Sequence, residues 1–128
     1  MKAMNPEAKT QWIAALRSGN YQQGRHVLNS ADGLCCLGVL CDLAVKAGVT
    51  HWDAPYPVTD STGVVYDACR RCDNEIGILP APVQEWAGLE TANPWLQLQP
   101  VGHISMAGAN DDLRLSFPEL ADLIEAQL

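Results

Sequence analysis

The chain has 128 residues and a mass of 13.9 kDa, enough for one domain around one core, because folding at this size takes about two-thirds of the chain's surface out of water. With 48% hydrophobic and 18% charged residues, it is neither a disordered tail, a collagen-like repeat nor a highly charged coiled coil. Its net charge of -7 is uneven, with five basic residues against three acids in 1–50 and three arginines against twelve acids in 51–128; this disfavours general nucleic-acid binding and leaves room for a small anionic ligand near the N-terminal half.

The first expected element is a helix. Asn5 is its N-cap, Pro6 takes the first helical position, Glu7 sits in the first turn and Gly19 follows the end. Ala8, Trp12, Ala15 and Leu16 recur at helical spacing and mark the buried face. Next, Gly24 to Leu28, the turn Asn29 to Gly33 and Leu34 to Cys36 read as a β-hairpin feeding a second helix, about Leu37 to Ala47. That helix is apolar almost all round and is therefore central. Its only charges, Asp42 and Lys46, are four apart and can pair, and Gly48 stops it.

Residues 51–78 are expected to form an irregular, mobile insertion, broken by Pro55, Pro57 and Gly63, with a short hairpin from Val58 to Tyr66 around Asp60 to Gly63. Pro82 opens a short helix carrying Val83, Trp86 and Ala87, closed by Gly88. The alternation from Trp95 to Gln99 puts Leu96 and Leu98 on one face of a strand and Trp95, Gln97 and Gln99 on the other. Pro100 to Gly102 then turns the chain into His103 to Met106, a second hairpin. Ser105 to Asp112 follows as a connection that grows polar at its end. Ser116 caps a last helix with Pro118 and Glu119 in its first turn and Phe117, Leu120, Ala121, Ile124 and Leu128 on its apolar face. Helices at both ends, a buried central helix and short antiparallel β-hairpins between them give an α+β class in one domain over residues 1–128.

No apolar run approaches the ~20 residues that cross a bilayer, and Met1 to Asn5 lacks the apolar core of a secretory signal. A cytoplasmic protein without a membrane partner is expected. The five cysteines, Cys35, Cys36, Cys41, Cys69 and Cys72, are an odd number and point to free thiols rather than a disulfide framework. Cys69-Arg70-Arg71-Cys72 is a C-x-x-C, but no second such pair or H-x-x-x-H is present to complete four zinc ligands. Cys69 and Cys72 are the candidate metal ligands, and no metal or other cofactor is expected.

Three blocks of sequence together resemble a family of small, uncharacterised proteins encoded by tailed bacteriophages and prophages. They are Trp12 to Gly19 with Tyr21-Gln22-Gln23, the Cys35-Cys36-Leu37-Gly38-Val39-Leu40-Cys41-Asp42-Leu43-Ala44 run, and a C-terminal set with Leu79-Pro80, Val83 to Leu89 and Ser116 to Glu125. The resemblance brings no activity of its own. It implies an accessory protein working in the host cytoplasm, acting by binding and counteracting a host function.

Sequestration of a small, anionic, nucleotide-like signalling molecule is the leading expectation. Gln22, Gln23 and Arg25 precede the first hairpin, the amides opening the Leu37 helix can meet a phosphate, and the faces of Tyr21, Trp86 or Trp95 can stack a base. Asn110 and Asp111 can bond a ribose or base edge. The expected ligand set is thus Tyr21, Gln22, Gln23, Arg25, Trp86, Asn110 and Asp111. The alternative is an acidic inhibitor that blocks a basic groove of a host defence protein with Asp111, Asp112, Glu119, Asp122 and Glu125. Last comes an enzyme using zinc, or using Cys35 or Cys36 with one of the three histidines, His26, His51 and His103. Self-association into a homo-oligomer is left open.

Overall fold

Asn5 starts the first helix, α1 (Pro6–Arg17), as its side chain predicts: Oδ1 accepts from the Glu7 and Ala8 amides at 2.9 and 3.4 Å. The computed structural model describes residues 3–128; Met1 and Lys2, part of the Met1 to Asn5 stretch that lacks the apolar core of a signal, lie outside the described residues. Along the chain follow β1 (Asn29–Ser30), β2 (Gly33–Leu34), α2 (Cys36–Lys46), β3 (Tyr56–Thr59), β4 (Val65–Cys69), α3 (Ala81–Ala87), β5 (Trp95–Leu98), β6 (Gly102–Ser105), α4 (Met106–Asp111) and α5 (Phe117–Gln127). Among the described residues three two-stranded antiparallel sheets, β1-β2, β3-β4 and β5-β6, accompany the helices, so the fold is α+β.

The helix α2 is the centre of the core. Seven of its residues, from Cys36 to Cys41 plus Ala44, are buried, and α1, α3 and α4 all pack on it. Trp12, fully buried on α1, donates Nε1 to the Cys36 carbonyl at 2.9 Å and so spends its one polar atom where α2 begins. Gly38 lets α2 pass directly beneath the preceding loop, since a Cβ there would lie 1.9 Å from the Leu28 carbonyl oxygen. On the far side of α1 lies α5, opened by the expected capping box: the Glu119 amide donates to Ser116 Oγ at 3.3 Å, and the Ser116 amide to Glu119 Oε1 at 3.0 Å.

Two elements depart from expectation. Gly24 to Leu28 forms no hairpin strand. Only Gln22 to Gly24 runs beside β2, in parallel, through Gly24 N to Leu34 O (2.8 Å) and Leu34 N to Gln22 O (3.0 Å), and β1 is the short Asn29–Ser30. The backbone turns away at His26, whose φ is +74°. Close approach of the two segments depends on Gly33, where a Cβ would lie 2.2 Å from Gln22 O. The connection after β6 is the helix α4, capped by Ser105 Oγ on the Gly108 amide (3.1 Å) and fastened by Asn93 Oδ1 on the Ala107 amide (3.0 Å).

The 51–78 segment holds the β3-β4 hairpin, turned by Asp60, whose Oδ1 accepts from the Thr62 and Val64 amides. Arg70 donates to the Trp52 and Asp53 carbonyls and ties the hairpin's base. The segment is fastened to α2 through one carboxylate. Asp42 accepts from Trp52 Nε1 (3.1 Å) and Tyr21 Oη (2.5 Å), and Lys46 Nζ lies 3.3 Å away. Burial pushes the Asp42 carboxyl up, but hydrogen bonds from Tyr21, Trp52 and Lys46 outweigh it and hold the group below its ordinary 3.8.

Replacing Asp42 by Ala strands a tyrosine hydroxyl and an indole N–H and is expected to cost about 2–3 kcal/mol at pH 7 in urea denaturation. A carboxyl depressed in the folded state stabilises fully above its unfolded value and loses that contribution as pH falls below it. The gap between wild type and Asp42→Ala should therefore begin to narrow as pH falls below 3.8 and go on narrowing through the lower folded value; a gap that stays constant from pH 7 into the acid range contradicts the assignment.

Candidate functional site

Gln23, Asn110 and Asp111, three of the expected ligand residues, do converge, but on each other. Asn110 is fully buried. Its Nδ2 donates to the Gly24 carbonyl (3.0 Å) and to Asp111 Oδ1 (2.8 Å), while its Oδ1 accepts from Gln23 Nε2 (2.8 Å) and from the Cys36 amide (3.2 Å). Two donors and two acceptors exhaust a carboxamide. Gln23 Nε2 also reaches the Leu115 carbonyl (2.8 Å), and Asp111 Oδ1 accepts the His26 amide (2.9 Å). The cluster is an internal cross-link between α4, the loop before β1 and the start of α2, and Asn110 has nothing left for a ligand.

The remaining expected ligand residues scatter. Tyr21 belongs to the Asp42 group, where burial and the bond to Asp42 push its hydroxyl above the usual 10.0. Trp86 packs half-buried on the core from α3. Gln22 is exposed, and Arg25 is half-buried with its Nε buried and unpartnered. The amide that opens α2 at Cys36 is already spent on Asn110.

The enzyme readings fare no better. Burial pushes the Cys35 thiol up to about 12 and the Cys36 thiol well above its ordinary 9.0, so neither supplies the thiolate a nucleophile needs. His26 leaves the expected strand and its ring faces Tyr66, with centroids 6.0 Å apart. His51 pairs with Asp53 at 3.0 Å, and His103 lies exposed on β6. Cys69 Sγ donates to the Tyr66 carbonyl (3.2 Å), whereas Cys72 meets Thr50 (3.6 Å), so the C-x-x-C sends its thiols to different partners. Among the described residues no group of three or more His, Cys, Asp or Glu is placed to hold a metal ion, and no helix is long and apolar enough to cross a membrane.

The acidic face is partly spent as well. Arg17 holds Asp122 at 2.7 Å and Glu125 at 3.4 Å, Glu119 closes the α5 cap, and Asp111 bonds the His26 amide. Of the five acids in that set, Asp112 is the exposed one left outside these contacts.

A groove on another side of the molecule has both room and free chemistry. It measures about 910 Å³ and runs between the β5-β6 hairpin, the loop after α3 and the two ends of the described chain. Met4 and Leu89 give it an apolar base. Trp95, Gln97, Gln99 and His103 line the hairpin side. Register sets this wall: Gln97 pairs with His103 across the sheet, and Trp95, two residues earlier on β5, projects from the same face at 64% exposure. Gln127 reaches from α5 to hold the strand. Its Oε1 accepts the Gln97 amide and its Nε2 donates to the Gln97 carbonyl, both at 2.8 Å, satisfying the outer edge of β5 as a neighbouring strand would. Among the described residues, none of the side chains that line it is a lysine or arginine. The alternation around Leu96 placed Trp95, Gln97 and Gln99 outward in the sequence, but their meeting with His103 depends on cross-strand register.

Residues 4–128 match the model of the family described as Domain of unknown function (DUF8296), and the chain belongs to that family. No curated protein and no solved structure matches the chain.

Asn110→Ala is expected to lower stability by about 3–5 kcal/mol, because it strands the Cys36 amide, the Gly24 carbonyl and one of the two side-chain N–H groups of Gln23, the other staying on the Leu115 carbonyl. Urea denaturation checks this, and a loss below about 1 kcal/mol would remove Asn110 from its structural role.

Proposed function

We propose that this protein works by non-covalent capture of a small ring-bearing molecule of nucleobase or nucleoside type, held in the groove beside β5, as a phage-type accessory protein that counteracts a host function. The observation that carries this reading is the Trp95 ring, 64% exposed on the groove wall beside Gln97 and His103. A ring so exposed contributes little to the core and offers its face for stacking, while carboxamides and an imidazole supply donors and acceptors for a base edge. Gln127 keeps this wall rigid through its two bonds to Gln97, which limits the ordering cost of binding.

The lack of lysine and arginine among the described residues that line the groove favours the ring of a nucleotide-like ligand over its phosphates. Capture through Arg25 draws less support, because Gln23, Asn110 and Asp111 beside it are spent on the fold. Acidic blocking of a host protein also loses support, since Arg17 neutralises two of the acids it would use.

Calorimetric titration with nucleosides and nucleotides tests the reading. Trp95→Ala is expected to weaken binding by about 5- to 100-fold, as loss of one stacked base does, while changing stability by no more than about 0.5 kcal/mol. Arg25→Ala should leave affinity unchanged. Binding that survives Trp95→Ala and is lost in Arg25→Ala contradicts the groove and returns the ligand to the arginine.

A further inference from the structure

Among the described residues, every strand edge but one is covered or blunted. β1 lies against β4, with the Ala31 amide on the Asp67 carbonyl (2.8 Å) and the Arg70 amide on the Asn29 carbonyl (3.1 Å). β2 is flanked by Gln22 to Gly24, β3 carries Pro57, which has no amide to offer, and β5 is closed by Gln127. The outer edge of β6 has no such device: among the described residues no third strand lies beside it and no side chain bonds its backbone.

Register fixes what that edge presents. The Gln97 amide and carbonyl both turn outward to Gln127, so Gln97 and His103 form a pair that exchanges no hydrogen bonds, and the His103 amide and carbonyl turn outward on the opposite side of the hairpin. His103 is exposed, and Val101, two residues before it, is 51% exposed. Residues 91–110 contain no Lys, Arg, Asp or Glu, in a chain of net charge -7. The open edge therefore sits in a strip without formal charge.

We propose that two copies of this chain pair antiparallel through the outer edge of β6, around a two-fold axis at His103, into a four-stranded sheet ordered β5-β6-β6-β5. An amide and a carbonyl projecting from the same residue are self-complementary under a two-fold: His103 of each copy donates to, and accepts from, His103 of the other. The uncharged strip selects a second copy over a charged partner. Two chains of -7 repel one another and approach at least cost where neither presents an acid, whereas a basic or acidic protein finds no opposite charge here. In this register Val101 of one copy lies across from Ser105 of the other. The faces that carry Trp95, Gln97 and His103 stand side by side, so the dimer holds two grooves on one face of a continuous sheet. The contact is short, which makes the dimer reversible and concentration-dependent. The pairing does not depend on what the groove binds.

The test is sedimentation equilibrium of the whole protein without nucleoside, from micromolar to millimolar concentration, with amide exchange followed by nuclear magnetic resonance at both ends of that range. The expected result is a mass that rises from 13.9 kDa toward twice that value, and a His103 amide whose exchange slows as the dimer fills. His103→Pro removes the donor from each copy, hence two bonds from the dimer, and should raise the dissociation constant about 10-fold or more. His103→Glu changes an exposed side chain and sets two carboxylates opposite each other, which should raise the constant about 2- to 5-fold, with recovery on adding salt. Should the proline variant fail to fold, the glutamate variant and the amide exchange decide. A single chain at every concentration overturns the proposal and leaves the edge to a strand of another protein. A dimer that both variants keep at wild-type strength, or one in which the His103 amide exchanges as fast as in the monomer, overturns it as well.

Discussion

The carboxamide of Asn110 joins three stretches of chain that share no continuous secondary structure: α4 itself, the Gln23–Gly24 loop and the first amide of α2. A buried polar group is tolerated only when its bonding capacity is filled, and a filled one specifies its neighbours closely. Here each of the four bonds goes to a different residue. This constraint places the start of α2, and α2 in turn supplies the surface on which α1, α3 and α4 pack. Gly38 and Trp12 serve the same placement, one by letting the Leu28 carbonyl come close, the other by bonding the Cys36 carbonyl.

Local signals were legible along the sequence. The Asn5 and Ser116 caps, the Gly88 stop on α3 and the apolar faces of α1, α2 and α5 are written within a few residues of where they act, and each element begins or ends close to its expected place. The alternation around Leu96 likewise gave β5 and its exposed face. What was not legible is long-range. The expected strand from Gly24 to Leu28 presumed pairing across a hairpin, whereas Gln22 to Gly24 pairs in parallel with β2 and the chain turns away at His26. The helix α4 is short and its cap is a serine at the end of a strand, so its amphipathic signal is too brief to stand out.

The same distinction governs the site. Tyr21, Gln23, Asn110 and Asp111 have the side chains a nucleotide site uses, and nothing nearby in sequence reveals that their partners are Asp42, Leu115, Cys36 and His26. Residue type advertises chemistry; only tertiary contacts tell whether that chemistry is already engaged. Trp95, Gln97 and His103 show the converse, side chains outside the core on a hairpin whose β5 edge Gln127 has already satisfied. Cysteine follows the pattern too, since proximity in sequence suggested Cys69 with Cys72, whereas the fold sets Cys69 against the Tyr66 carbonyl and Cys72 against Thr50.

The division between an engaged Asn110 cluster and a free groove is tested most directly by nuclear magnetic resonance of the native protein, following side-chain N–H signals while nucleosides are added. The indole signal of Trp95 and the amide signals of Gln97 and Gln99 should move together and saturate, while those of Asn110 and Gln23 stay in place. Movement of Asn110 and Gln23 with Trp95 unchanged would contradict both the structural role of the carboxamide and the location of the ligand.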